Sequence, residues 1–152
     1  MNVKTMVKNA IIAALYVALT YINPLSFGVV QFRVANLLAA VPYYKREYSV
    51  GFVIGAGLAN LFSSFGLVDV AFGMIAASAC YALLAYGPLR NLPDIARYLL
   101  HALIIALIIG TELVWFASVP VWMAFVSLFV GTWVIVALGG TIIKGTALKN
   151  IL

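Results

Sequence analysis

Apolar runs follow one another along this chain with hardly a break. Six of them are parted only by short stretches carrying Pro, Gly, Asn or paired charges. Such a chain lacks the polar residues needed to cover a water-facing surface. Of its 152 residues, 66% are hydrophobic and 9% are charged, and the mean hydropathy is +1.15. The pattern is that of an all-α integral membrane protein. No polar linker divides it, so residues 1–152 read as a single transmembrane domain.

A spanning helix takes about 20 apolar residues, fewer where it is short or broken. Six fit. The first runs from Val7 to Leu25 and stops around Asn23–Pro24. The second, Phe32 to Tyr44, is short, as is the glycine-rich third, Ser49 to Ser63. The fourth is Val68 to Tyr86, ended by Gly87–Pro88. The fifth is Asp94 to Phe116 and the sixth Val121 to Lys144, preceded by Pro120. The start resembles a signal peptide, with basic residues before an apolar core. No small-x-small cleavage site follows, so it reads as a retained first helix.

Charge tests the helix count. With six spans, Lys4, Lys8, Lys45, Arg46, Arg90, Arg97, Lys144 and Lys149 fall on one side, and Arg33 alone on the other. Lys and Arg favour the cytoplasmic side, so both termini are expected there. The net charge of +5 therefore records orientation rather than nucleic-acid binding. The single cysteine, Cys80, has no partner for an internal disulfide, and no Cys/His cluster suggests a metal.

The remaining polar residues sort by depth. Gln31, Arg33, Asn36, Asn60, Asp69 and Glu112 fall in the outer half, with Trp115 and Trp122. Asp94, Arg97 and His101 share one face at the inner start of helix five. Intramembrane charge is costly and marks function or careful pairing. Arg33 reads as a snorkelling or phosphate-binding residue, or as an inward cation paired with an acid or a ligand. Glu112, with Trp115 three residues on, suits a planar, hydrogen-bonding ligand, or is an ordinary interfacial pair. Asp69 binds ligand or caps helix four; Asn60 binds ligand or bonds across helices. His101 is a polar contact or a proton relay. Ala10, Ala14 and Ala18 recur every four residues, a flat stripe for another helix of this chain or of a partner. Gly51, Gly55 and Gly57 with Ala59 do the same in helix three.

Several chemistries lack their motifs. There is no G-x-x-x-x-G-K-[ST], no H-E-x-x-H and no G-x-S-x-G. No nucleophile–base or metal set supports a membrane enzyme. No inverted repeat supports a self-sufficient secondary transporter.

Four stretches, "AIIAALYVALTY", "PLSFGVVQFRVANLLAAVPYY", "GLANLFSSFGLVDVAFG" and "ALIIGTELVWFASVPVW", resemble the QueT family. These are substrate-binding S components of energy-coupling factor (ECF) transporters. The resemblance covers about Lys4 to Trp122. Its most specific pieces are Gln31-Phe32-Arg33, and Ala59-Asn60-Leu61 followed by Asp69 and Gly73. It implies a six-helix, multi-pass protein of the plasma membrane that takes up a queuosine precursor, a 7-deazaguanine base or queuine. It implies a partner module of one membrane scaffold and two ATPases, docked on an A-x-x-x-A stripe that Ala10, Ala14 and Ala18 match. Reorientation in the membrane would carry the ligand inward. The family pattern usually has Glu where Asn36 and Thr132 stand here. On this reading Gln31, Arg33, Asn36, Asn60, Asp69, Glu112 and Trp115 bind substrate, with no cofactor, metal or nucleic acid. The alternatives are an S component for another vitamin-like heterocycle, and a self-contained ion-coupled carrier or channel using His101, Asp69 and Glu112.

Overall fold

The computed structural model describes residues 2–27 and 32–145. Those residues form six main helical segments and two short 3-10 helices, Pro24–Phe27 and Arg46–Tyr48, with no strand among them. We label the six main segments α1 (Val3–Ile22), α2 (Val34–Tyr44), α3 (Ser49–Ala59), α4 (Leu67–Tyr86), α5 (Asp94–Ala117) and α6 (Val121–Gly145). Four of them, α1, α4, α5 and α6, are long and apolar enough to cross a membrane. The expected boundaries hold to within a few residues. The start of α1 moves earlier because Asn2 caps it, its Oδ1 accepting from the Thr5 N–H at 2.9 Å. Its end falls at Ile22, ahead of Pro24.

The two short helices have local causes. Seven residues of α2, Val34–Ala40, form a 3-10 helix before one α-turn at Val41–Tyr44. The Val41 N–H bonds Leu38 three residues back, and Pro42 has no N–H to offer Leu38 the α-type bond. The α3 helix stops where Asn60 turns its side chain to the start of α4.

Helix order alternates the chain between two ends of the bundle. Arg33 and the described residues that follow α1, α3 and α5 occupy one end, called here the Arg33 end. Lys4, Lys8, Lys45, Arg46, Arg90, Arg97 and Lys144 gather at the other, the Asp94 end. There Asp94 pairs with both Arg97 and Lys144, tying α5 to α6. Tyr44 of α2 joins them, its hydroxyl 3.2 Å from Asp94 Oδ2 and 2.6 Å from the Tyr98 hydroxyl. Lys149 lies outside the described residues.

The α1 and α3 backbones approach closely. A Cβ on Gly51 would fall 2.8 Å from Asn9 Cα, and one on Gly55 3.0 Å from Ala13 Cα. Asn9 seals this contact: its Oδ1 accepts from the Gly51 N–H at 2.5 Å and its Nδ2 donates to the Glu47 carbonyl at 2.9 Å. So the face of α1 that packs internally carries Asn9, Ile12, Ala13 and Tyr16. Ala10, Ala14 and Ala18 are exposed on the opposite side.

Candidate functional site

All six helices contribute to one cavity that reaches inward from the Arg33 end. Its volume is about 80 Å³. A single water needs about 10–15 Å³ on this measure, so it admits on the order of six waters. That is room for a small organic ligand.

Each polar group arrives there for a local reason. Arg33 stands just before α2 in extended conformation. Its guanidinium donates to the Ser26 carbonyl at 3.3 Å and lies over the Phe27 ring, 5.7 Å from the centroid. Asn36 follows one 3-10 turn later, and its Oδ1 accepts from the Tyr16 hydroxyl at 3.1 Å. Asp69 sits in the first turn of α4 and its Oδ2 accepts from the Phe65 N–H at 3.2 Å. The N-cap position itself is Gly66, which makes no side-chain cap bond, so Asp69 does not cap α4 as the sequence allowed; it ties the preceding loop to the first turn and lines the cavity. Asn60 Nδ2 donates to the Asp69 carbonyl at 3.0 Å. Gly73 leaves room for that amide, since a Cβ there would collide with Asn60 Nδ2.

Glu112 projects from the buried stripe of α5 and is 2% exposed. The charged groups acting on it from other elements are Asp69 and Arg33. Glu112 Oε1 and Asn60 Oδ1 are both buried, and neither has a hydrogen-bond partner among the described residues. A buried acceptor left unpaired costs about 1–3 kcal/mol. Two of them in one cavity create a demand for N–H or O–H donors from outside the chain. Tyr16 and Phe52, edge to face at 4.7 Å, supply aromatic wall, while Ala56, Gly73 and Ala77 line it with small residues. Such a site suits a flat ligand with donors along one edge.

Arg33, Asn36, Asn60, Asp69 and Glu112, scattered over 80 positions of sequence, thus meet at one cavity. Trp115 does not join them. It is 72% exposed, like Trp122 at 68%. The buried stripe of α5 runs through Glu112 and Leu113, and three further residues carry Trp115 past its edge. Gln31 lies outside the described residues. Sequence reasoning gave no ligand role to Tyr16 or Phe52, which also line the cavity, as does Thr132, where the family pattern usually has Glu. An aromatic or a threonine in an apolar helix carries no signal of its own. Among the described residues no group of three His, Cys, Asp or Glu could hold a metal ion.

The sequence model of a family described as QueT transporter matches residues 6–147. A curated relative, the "Queuosine precursor transporter QueT" of Lactococcus lactis subsp. cremoris (strain MG1363), is 40% identical over 67 residues. That match covers 42% of this chain and 39% of the relative, so it spans about two fifths of the relative's length. No solved structure matches the chain.

Proposed function

We propose a function from one premise: this chain belongs to the QueT transporter family, whose pattern runs through residues 6–147. It is the membrane-embedded, substrate-binding subunit of an ECF-type transporter and takes up a queuosine precursor. The relative's printed name supports the substrate class. The observation that carries the reading is the pair of buried, unpartnered acceptors, Glu112 Oε1 and Asn60 Oδ1, in one cavity. A 7-deazaguanine presents a ring N–H and an amino group side by side, donors of the kind these acceptors lack. Arg33 would meet a carbonyl or balance Glu112, and Asn36 would add a neutral donor.

The remaining parts of the reading follow from charge and exposure. Basic residues gather at the Asp94 end, so that end faces the cytoplasm of the cell-membrane protein and the cavity opens outward. With no P-loop in the chain, ATP would be hydrolysed on two separate ATPase subunits. The exposed Ala10, Ala14 and Ala18 would receive the membrane scaffold.

Ligand identification tests this directly. Protein purified in detergent should release a deazapurine detectable by mass spectrometry, and should bind 7-deazaguanines in calorimetry. Tight binding of an unrelated vitamin, with none of any deazaguanine, would sink the substrate assignment. Uptake into liposomes by the chain alone, without ATPases, would instead favour a self-contained carrier using His101, Asp69 and Glu112, which line the one cavity.

A further inference from the structure

The cavity is polar at two depths. Its first pole is Glu112 with Asn60 and Arg33, near the Arg33 end. Eleven residues earlier on α5, His101 lines the same cavity and is 1% exposed. Eleven residues make three helical turns, with a net rotation of about 20° and a rise of about 16 Å. The two side chains therefore share a face. Ile105 and Ile109 line the cavity between them, so this strip of α5 is polar, apolar, then polar again. Thr132 adds to the deeper part from α6. Counted from the turn joining α5 to α6, it lies about 9 Å deeper than Glu112.

His101 is held from beneath. Its Nδ1 is 2.5 Å from the Tyr43 hydroxyl. Tyr43 is itself fixed by Arg97, whose Nη1 donates to the Tyr43 carbonyl at 3.2 Å and whose guanidinium lies 5.5 Å from the ring centroid. With Nδ1 engaged, the opposite edge of the imidazole remains, and no described residue bonds Nε2. Thr132 is 3% exposed, and no described residue bonds its hydroxyl. A histidine or threonine serving only as core is normally matched by protein partners. Here the unmatched atoms belong to two residues that line the cavity.

We propose that His101 and Thr132 form an inner subsite that binds an uncharged polar group, a hydroxyl or carbonyl, on an arm of the ligand. The proposal rests on the function given above, in which the ligand's heterocyclic edge meets Glu112 and Asn60. A fused bicycle seated there does not reach three helical turns further in; a ligand with an arm does. The subsite suits an uncharged group because it contains no carboxylate. The nearest acid deeper in the bundle, Asp94, is already paired with Arg97 and Lys144.

The test is calorimetry on the full chain in detergent, with 7-deazaguanine as the armless probe and queuine, whose arm ends in hydroxyls, as the other. Wild type should bind queuine at least tenfold more tightly. His101→Phe and Thr132→Val should each erase most of that advantage and leave 7-deazaguanine affinity unchanged. A merely structural role for His101 would weaken both ligands together, and that result overturns the inner subsite. So does wild-type affinity that is equal for the two probes, or full retention of the queuine advantage in Thr132→Val, a variant that keeps the side chain's shape. Wild type binding neither probe would instead defeat the proposed function, and the subsite with it.

Discussion

Asn60 is bound through one end of its amide and unmet at the other. Its Nδ2 donates to the Asp69 carbonyl at 3.0 Å, joining the end of α3 to the first turn of α4. Its Oδ1 is buried without a partner. Gly73 packs against that amide. Gly73→Ala should displace the amide and weaken 7-deazaguanine binding about tenfold, the loss of roughly one hydrogen bond of 1.4 kcal/mol. Calorimetry with Gly73→Ala checks this. Unchanged affinity would remove Asn60 from the ligand's contacts.

Glu112 should matter more. Replacing it with Gln keeps the shape but puts an N–H donor in place of one of its two carboxyl oxygens. A buried polar group left without a matching partner costs about 1–3 kcal/mol, so Glu112→Gln should lower affinity by roughly 10- to 100-fold. Trp115→Ala, by contrast, should leave affinity within twofold, because that ring lies outside the cavity. Measured side by side, the two variants separate a ligand contact from an aromatic at the bundle surface.

Close packing of α1 on α3 gives a stability prediction. Gly51→Ala places a methyl 2.8 Å from Asn9 Cα, closer than the backbone can accept without moving. Overpacking of this kind costs about 1–3 kcal/mol. The melting temperature in detergent should fall. Ala14→Ser, on the exposed face of the same helix, should leave it unchanged.

That exposed face has its own test. Ala14→Trp should leave ligand binding intact in detergent and abolish uptake in cells carrying the transporter's other subunits. Uptake at the wild-type rate would show that Ala10, Ala14 and Ala18 do not receive a partner.

At the Asp94 end, the acid serves three partners: Arg97, Lys144 and Tyr44. Arg97 is mostly buried, its side chain 12% exposed, whereas Lys144 is 57% exposed. Asp94→Asn should destabilise by about 3 kcal/mol, because a largely buried guanidinium loses its counter-charge. Lys144→Ala should change stability little, since solvent already screens that pair. Chemical unfolding of both variants in detergent reads the difference. Equal losses would mean that burial of Arg97 is not what makes the pair matter.

Much of this fold is legible in the chain because punctuation and charge are legible. Pro24, Pro88 and Pro120 bound helices, and the Lys and Arg residues separate the two ends of the bundle. Polar residues in an apolar chain announce themselves, which is why Arg33, Asn36, Asn60, Asp69 and Glu112 could be named before their contacts were known. Which way a residue faces is harder to read when every side of a helix is apolar. Trp115 follows Glu112 at a spacing that allows a shared face, yet the buried stripe of α5 passes on its other side. Tyr16 and Phe52 gave no warning, because their types suit lipid, core and cavity alike, and Thr132 was marked only by the Glu that the family pattern usually has there. The alanine stripe on α1 stayed ambiguous for a related reason. Its spacing serves either internal or external contact, and only the neighbouring Asn9–Ala13–Tyr16 face, pressed against Gly51 and Gly55, shows which side was free.

The 3-10 stretch of α2 has a mechanical consequence. Each of its seven residues, Val34–Ala40, advances about 2.0 Å instead of 1.5 Å. Eleven residues, too few to cross a bilayer at α pitch, thereby gain about 3–4 Å of reach. The same winding turns 120° per residue, so Asn36 and Ala39 lie on one line rather than spiralling apart. A change to α winding would shorten the strut that carries Asn36 and swing its amide away from Tyr16. The wall of the cavity and the length of the helix are thus one variable: α2 cannot contract without letting go of what it holds.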